Sequence, residues 1–152
     1  MKIKIFLSDV DGVLTDGGMY YTENGDEFKK FSCYDGMGMK LLQKKGFKVG
    51  ILTSEDRLIN RNRAEKLSLD YDFHGIENKY QFVKDFCEKE NVKMSEIAYV
   101  GDDINCFELL SNVGIAACPE NAINKIKSIP NIILLKSSGG EGAFREFAEL
   151  YL

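Results

Sequence analysis

Carboxylates stand in pairs at two places where an apolar segment of this sequence ends. Asp9 and Asp11 end the first such segment, and Asp102 and Asp103 end a later one. Like charges this close repel each other, so something must hold them together. A hard cation such as Mg2+, which prefers oxygen ligands, is the simplest means of doing so. The spacing therefore predicts a magnesium site built from carboxylates.

A hydroxyl pair and a lysine extend this pattern toward phosphoryl transfer. Thr53 and Ser54 end another apolar segment, and Lys79 opens a helical one. Lys79 can balance the carboxylate charge, and Thr53 with the backbone amides after it can hold an anion at a helix N-terminus. Phosphoryl transfer depends mainly on positioning and on charge neutralisation, which these groups supply. Each group alone also fits a turn, a cap or a solvated side chain, so the hypothesis depends on their coincidence.

The order of the segments predicts how these groups meet. Strand-like runs alternate with helical patterns through most of the chain; Lys48–Ser54 predicts a strand, and Glu55–Leu69 a helix whose acidic first turn suits its dipole. We therefore expect an α/β fold, with a doubly wound, mostly parallel sheet and helices on both faces. In such a sheet, ligands bind beyond the carboxyl ends of the strands.

One segment interrupts the alternation of strands and helices. Met19–Phe31 predicts a β-hairpin, because Asn24-Gly25 is a strong two-residue turn signal between strand-like arms. We expect this hairpin to form a flap over about residues 17–32. The length of 152 residues is sufficient for one domain with a real core, so residues 1–152 are predicted to form a single domain.

Composition and charge argue against several classes of function. The net charge of −4 disfavours nucleic-acid binding, and no apolar run approaches the roughly 18 residues of a membrane span. Lys2 and Lys4 interrupt the first apolar residues, unlike in a signal peptide, and the four cysteines are scattered without a C-x-x-C motif. We expect a cytoplasmic protein with reduced thiols, without a nucleic-acid or membrane partner.

Four motifs in order resemble those of the haloacid dehalogenase superfamily. They are DVDGVLT from Asp9, a strand-end Thr53, a lysine at Lys79, and GDDINC, which contains Asp102. The resemblance implies that Asp9 is a nucleophile that forms an aspartyl-phosphate. It implies that Asp11 is the general acid for the leaving alcohol and then the base for water. Asp102 would complete a Mg2+ site with the Asp9 side chain and the Asp11 backbone carbonyl.

The same resemblance assigns the remaining motif residues and exposes two departures. Thr53, Ser54 and Lys79 would hold the phosphoryl group, and Asp103 would orient the metal ligands. Cys106 stands where the family has the last aspartate of its fourth motif, and Ser54 stands where a glycine usually follows the threonine. Neither change removes a group that touches metal or phosphate, so we expect an active phosphatase. A non-catalytic partner, related to the phosphatase-like domain of some sugar-acid cytidylyltransferases, is the alternative of another class.

The intervals between the motifs are too short for a cap domain. With DVDGVLTDGG, the hairpin and GGEGAFRE near the C-terminus, the chain resembles a capless subfamily. This subfamily contains 3-deoxy-D-manno-octulosonate 8-phosphate phosphatase and phosphatases of nine-carbon 2-keto sugar acids (nonulosonates), such as 2-keto-3-deoxynononate 9-phosphate phosphatase. Its members are typically tetramers, which implies a homotetramer with the hairpin and the C-terminal segment near a neighbour's site.

The residues after the second strand bear on which sugar acid phosphate is the substrate. Thr53-Ser54-Glu55, followed by RNRAEKL, is similar to the nonulosonate 9-phosphate group, which is therefore favoured over octulosonate 8-phosphate. By that resemblance Glu55 would contact sugar hydroxyls or an amine-like group. Arg63 and Lys66 would bind the substrate carboxylate or support Glu55. A helix first-turn carboxylate at Glu55 and a solvated helix face at Arg63 and Lys66 remain the structural alternatives.

Overall fold

The chain forms a parallel sheet covered by helices, and the computed structural model describes residues 2–152. The strands are β1 (Ile5–Ser8), β2 (Tyr20–Tyr21), β3 (Glu27–Phe28), β4 (Lys48–Leu52), β5 (Tyr71–Phe73), β6 (Ile97–Val100), β7 (Ile115–Cys118) and β8 (Ile133–Leu134). The α-helices are α1 (Cys33–Lys44), α2 (Leu58–Lys66), α3 (Lys79–Glu90), α4 (Phe107–Leu110), α5 (Asn124–Lys127) and α6 (Ala143–Glu149). Two short 3-10 turns cover Met94–Glu96 and Ile104–Cys106.

The six-stranded sheet has the order β5-β4-β1-β6-β7-β8, and each neighbouring pair is parallel. The chain runs outward from β1 through β4 and β5, then returns to β6 and runs outward the other way. Ser8, the last residue of β1, is in register with Ile51 of β4 and Val100 of β6. The segments that leave these three strands therefore emerge together. This topology confirms the predicted doubly wound α/β fold.

Alternate side chains of the central strand supply two separate cores. Phe6 of β1 packs in a cluster with Met39 of α1 and Phe144 of α6. Ile5 and Leu7 point to the opposite face and pack with residues of α3 and α4. All three β1 side chains are at most 2% exposed, as expected for a parallel strand that is covered on both faces. Helices on both faces hold the strand ends in place.

The hairpin forms from β2 and β3, but its loop is longer than predicted. Thr22 N donates to the Asp26 carbonyl at 2.9 Å, so three residues, not two, lie between the paired positions. Gly25 adopts a φ of +87° and takes the left-handed position that ends such a three-residue loop. The predicted Asn24-Gly25 two-residue turn is therefore wrong in length, although the hairpin itself is present.

Helix α2 begins three residues later than predicted. Glu55 N donates to Thr53 Oγ1 at 3.3 Å, and the Glu55 carbonyl accepts from Gly75 N at 3.1 Å. These bonds give the backbone a local alternative to helix, and the helix starts only at Leu58, after an Arg57 N-cap. Glu55 is therefore not the first-turn carboxylate that the sequence suggested.

The intervals between strands contain small elements. Between β1 and β4 lie the hairpin and α1, and between β4 and α3 lie α2 and β5. Across residues 2–152 we find no cap domain, in agreement with the sequence. Within the same residues, none of the helices has the length and apolar character needed to cross a membrane.

Candidate active site

An open cavity of about 240 Å3 lies at the carboxyl edge of the sheet. Asp9 and Asp11 reach it from the segment after β1, residues 53–55 from the segment after β4, and Asp102 and Asp103 from the segment after β6. The structure thus brings together predicted site residues from three strands, because the carboxyl ends of parallel strands share one edge.

Asp9, which lines the cavity, is held by a buried lysine that does not itself line it. Lys79 Nζ lies 2.9 Å from Asp9 Oδ1, and the lysine side chain is fully buried. The same carboxylate oxygen accepts from Val10 N at 2.8 Å. Burial alone lowers the pKa of Lys79, but the Asp9 carboxylate overrides burial and the pKa is raised. Lys79 therefore remains a cation, although the sequence alone could not distinguish it from a solvated lysine.

Cys106 occupies the other side of Asp9 as a neutral donor. Its Sγ lies 3.1 Å from Asp9 Oδ2 and 3.5 Å from Lys79 Nζ. The Tyr99 hydroxyl lies 3.1 Å from the same sulfur and accepts from Lys79 at 3.3 Å. Burial, followed by the Asp9 charge, raises the pKa of Cys106 to about 12. The departure from the family motif therefore replaces a carboxylate by a thiol that donates to Asp9.

The carboxylates of the site fit a hard cation. Single ligand atoms of Asp9, Asp102 and Cys106 all lie within 4.8 Å of one another. Burial, then the charges of Asp9 and Asp103, raises the pKa of Asp102 well above its usual range. Two carboxylates this close repel each other, and a cation held between Asp9 and Asp102 would relieve that repulsion. The carboxylate oxygens of Asp9 and Asp102 are the kind of donor that Mg2+ prefers.

Gly12 provides the space that Asp102 occupies. Its φ is +80°, and a Cβ at this position would lie 2.0 Å from Asp102 Oδ2. The Gly12 carbonyl accepts from Asn121 Nδ2 at 3.0 Å, and Asn121 Oδ1 accepts from Gly139 N at 2.7 Å. The C-terminal segment of the chain therefore braces the loop of the first motif from behind.

Lys29, which the sequence analysis did not identify, enters the site from the hairpin. Its Nζ lies 2.8 Å from Asp11 Oδ1 and 2.8 Å from Glu55 Oε2, and its side chain is 2% exposed. Burial raises the pKa of Asp11, and the bond from Lys29 partly opposes that rise. No local sequence signal separates Lys29 from the exposed Lys30 beside it.

Four further polar residues line the cavity and differ in what they contact: Thr53, Ser54, Asp103 and Asn105. Thr53 is 2% exposed and lines the cavity. Asn105, also missed by the sequence analysis, donates to Ser54 Oγ at 3.3 Å. Asp103 accepts from Ile104 N at 2.6 Å and so caps the short 3-10 turn after β6. Asp103 therefore lies beside the metal candidates and fixes the loop that carries them.

The two basic residues predicted to bind substrate lie elsewhere in this chain. Arg63 Nη2 donates to the Ser32 carbonyl at 3.1 Å, and its guanidinium lies 5.3 Å from the centre of the Phe31 ring. Lys66 is exposed on α2. Neither residue lines the cavity, so the structure joins Glu55 to the site but not Arg63 or Lys66.

Comparison with known proteins gives one family. A family model described as haloacid dehalogenase-like hydrolase matches residues 74–143. The Haemophilus influenzae 3-deoxy-D-manno-octulosonate 8-phosphate phosphatase is 33% identical over 151 residues, which cover 99% of this chain and 83% of that enzyme. The enzyme of the same name from Escherichia coli K12 is 32% identical over 152 residues, 99% of this chain and 80% of that enzyme.

Solved structures agree with the sequence relatives. The Moraxella catarrhalis octulosonate 8-phosphate phosphatase, in complex with a magnesium ion, a phosphate ion and a KDO (3-deoxy-D-manno-octulosonate) molecule, matches with a TM-score of 0.92 and 30% identity. The match covers 97% of this chain and 84% of that one. The cobalt-bound enzyme from Haemophilus influenzae matches with a TM-score of 0.90 and 33% identity, over 98% of this chain and 86% of that one.

The fold and the carboxylate site define a haloacid dehalogenase-like hydrolase. Within that superfamily, the chain belongs to the family of the 3-deoxy-D-manno-octulosonate 8-phosphate phosphatases. This membership confirms the predicted phosphatase class. It favours the octulosonate relatives over the nonulosonate group that the residues after Thr53 suggested.

Proposed function

We propose that this protein is a Mg2+-dependent phosphatase that hydrolyses 3-deoxy-D-manno-octulosonate 8-phosphate through an aspartyl-phosphate. The similarity to enzymes of that name over 99% of the chain carries the substrate assignment. The cavity supplies the residues for the chemistry, because Asp9, Asp11 and Asp102 converge there beside Lys79.

Asp9 is the proposed nucleophile. One of its carboxylate oxygens attacks phosphorus while the bond from phosphorus to the sugar oxygen breaks. Lys79, with Thr53 and Ser54, binds the phosphoryl oxygens and keeps the group in line. A bound Mg2+ held by Asp9, Asp102 and the Asp11 carbonyl supplies charge neutralisation for the phosphoryl oxygens. Lys79 also keeps Asp9 oriented toward the phosphorus through the 2.9 Å contact.

Asp11 is the proposed acid and base. Asp11 stands in the turn that follows β1, and both Asp9 and Asp11 line the cavity. Burial raises the pKa of Asp11, which suits a carboxyl group that donates a proton near neutral pH. Asp11 gives its proton to the leaving sugar oxygen. It then takes a proton from the water that hydrolyses the aspartyl-phosphate.

Replacement of the nucleophile tests this mechanism. Asp9→Asn retains the shape of the side chain but removes the attacking carboxylate, so we expect kcat to fall by at least roughly 10^4-fold. The variant should retain the circular-dichroism spectrum of the wild type. Asp85→Asn, an exposed change on α3, is the matched control and should keep full activity. Substantial Mg2+-dependent turnover by the Asp9 variant would rule out an aspartyl-phosphate.

A substrate comparison separates the remaining alternatives. Steady-state rates with octulosonate 8-phosphate and nonulosonate 9-phosphate should favour the first, in keeping with the relatives. Preference for the second would restore the assignment suggested by Thr53-Ser54-Glu55. Hydrolysis of neither, with Mg2+ bound, would favour the non-catalytic partner that the Cys106 departure suggests.

We also infer a homotetramer in which the hairpin and the C-terminal segment lie near a neighbour's site. Exposed apolar side chains of the hairpin support this inference, since Met19, Tyr20, Tyr21 and Phe28 are each between 45% and 57% exposed. Exposed apolar residues in one cluster are typical of interaction surfaces. Size-exclusion chromatography with light scattering tests the inference, and a strict monomer would contradict it.

A further inference from the structure

Lys29 joins two carboxylates that come from different strands. Asp11 follows β1 and Glu55 follows β4, and each lies 2.8 Å from Lys29 Nζ. Hydrogen bonds between a cation and a carboxylate at this distance are stronger than neutral ones. The lysine side chain is 2% exposed, so water cannot easily replace either partner. Through Lys29, the hairpin therefore contacts the candidate active site of its own chain.

The backbone on both sides of Lys29 is anchored. Before it, the Glu27 carboxylate accepts from the Arg57 guanidinium at the start of α2. After it, Lys30 forms an ion pair with Glu141 in the C-terminal segment. These contacts hold the arm of the hairpin against the site, so the position of Lys29 follows from the backbone and not only from a flexible side chain.

Asp11 depends on this lysine for its orientation. Among residues 2–152, the hydrogen bond that we find on the Asp11 side chain is the one that Lys29 donates to Oδ1. The Asp11 side chain is otherwise 36% exposed. With Oδ1 held by Lys29, Oδ2 is left without a hydrogen bond among residues 2–152 and can carry the transferable proton. Without Lys29, the carboxyl group can rotate, and the nearby Glu55 charge repels it.

We propose that Lys29 is a positioning residue that aims the Asp11 carboxyl group at the leaving oxygen and couples it to Glu55, which also lines the cavity. This role rests on the proposed function, in which Asp11 is the acid. Lys29 itself transfers no proton. The proton passes from Asp11 Oδ2 to the leaving oxygen as the phosphorus–oxygen bond breaks, and the electron pair of that bond stays on the oxygen.

The dependence of kcat/KM on the leaving group distinguishes a residue that positions the acid from one that only stabilises the fold. p-Nitrophenolate is a weakly basic leaving group and departs without much help from an acid, whereas an alkoxide needs a proton. For Lys29→Met, we expect kcat/KM with p-nitrophenyl phosphate to change by less than about 3-fold, and kcat/KM with a simple alkyl phosphate to fall roughly 10- to 100-fold. Across a series of phosphate esters, the logarithm of kcat/KM should therefore fall more steeply with leaving-group basicity than in the wild type.

Three variants sharpen this experiment. Lys84→Met changes an exposed lysine on α3, away from the hairpin, and should leave the slope unchanged. Lys29→Arg keeps the cation and should return the slope toward that of the wild type. Lys29→Met in an Asp11→Asn background should steepen the slope no further, because the acid is already lost. If Lys29→Met does not fold, Lys29→Gln carries the same expectation.

The outcomes separate this inference from the proposed function. Equal losses for all esters in Lys29→Met, with an unchanged slope, would overturn the positioning role while leaving the phosphatase mechanism intact. No hydrolysis of any ester by the wild-type protein with Mg2+, or full activity of Asp9→Asn, would instead refute the mechanism on which the inference rests. A steeper slope in Lys29→Met that Lys29→Arg reverses supports it.

Discussion

Gly12→Ala should weaken Mg2+ binding more than its effect on folding explains. The new Cβ would lie 2.0 Å from Asp102 Oδ2 and 2.8 Å from its carboxyl carbon, so one of the two residues must move. Asp102 is a proposed metal ligand, and Mg2+ requires near-ideal octahedral geometry. A disturbed ligand environment of this kind costs about 10- to 100-fold in metal affinity. That corresponds to about 1.4–2.7 kcal/mol of binding free energy.

The same substitution also has a cost that is unrelated to the metal. Gly12 has a φ of +80°, and an L-residue in the left-handed region loses about 1–2 kcal/mol of stability. Gly25→Ala is the matched control, because Gly25 has a φ of +87° and no atom lies within 4 Å of its added Cβ. The Gly25 variant therefore measures the backbone cost alone in urea denaturation without Mg2+, and any further loss of stability in the Gly12 variant reports the overlap with Asp102.

Isothermal titration with Mg2+ distinguishes the two effects. We expect the dissociation constant of the Gly25 variant to match the wild type and that of the Gly12 variant to rise by at least about 10-fold. A Gly12→Ala protein that binds Mg2+ within a factor of about two of the wild type would refute the reasoning, since it would show that Asp102 either relocates freely or does not bind the metal.

Two further substitutions test electrostatic features of the fold. Cys106→Asp places a second negative charge where the thiol lies 3.1 Å from Asp9. We expect the variant to have a lower Tm than the wild type without Mg2+, and Mg2+ to raise its Tm by more than it raises that of the wild type. An equal rise in Tm for the two proteins would contradict this expectation. Burial raises the pKa of Asp35 from 3.8 to about 6, so the native state binds a proton at Asp35 more tightly than the unfolded state does. The stability that this bound proton contributes is lost as pH rises through about 6. Asp35→Asn removes this dependence, and its stability relative to the wild type should increase by up to about 3 kcal/mol between pH 4 and pH 7.5 in urea denaturation. A constant difference between the two proteins across that range would show that Asp35 is not buried as described.

Strand-end chemistry was predictable from the sequence, whereas contacts made by loops were not. Asp9, Thr53 and Asp102 each follow an apolar strand, and parallel strands bring their carboxyl ends to one edge. Lys29 contacts Asp11 and Glu55 of that cavity only because the hairpin folds back toward it. That approach depends on contacts between residues distant in sequence, as in the pair of Arg57 with Glu27.

Local hydrogen bonds and burial account for two other differences between the sequence-based predictions and the structure. The Thr53 hydroxyl accepts from Glu55 N and delays helix α2, and a period-based prediction does not include such a bond. Tyr99 lies in a strand that is apolar throughout, so its sequence suggests only a core residue. In the structure its hydroxyl completes the environment of Cys106 and Lys79.

The hydrogen bonds of Asn121 to Gly12 and Gly139 also determine when the Gly12 loop can reach its final shape during synthesis of the chain. Asn121, which bonds the Gly12 carbonyl, follows Gly12 by 109 residues. At roughly 5–20 residues per second, the ribosome adds Asn121 about 5–20 seconds after Gly12. Until Asn121 and Gly139 have left the ribosome, the first motif lacks its support even though its own residues are already present. The nucleophile is thus made well before the residues that fix the shape of its loop.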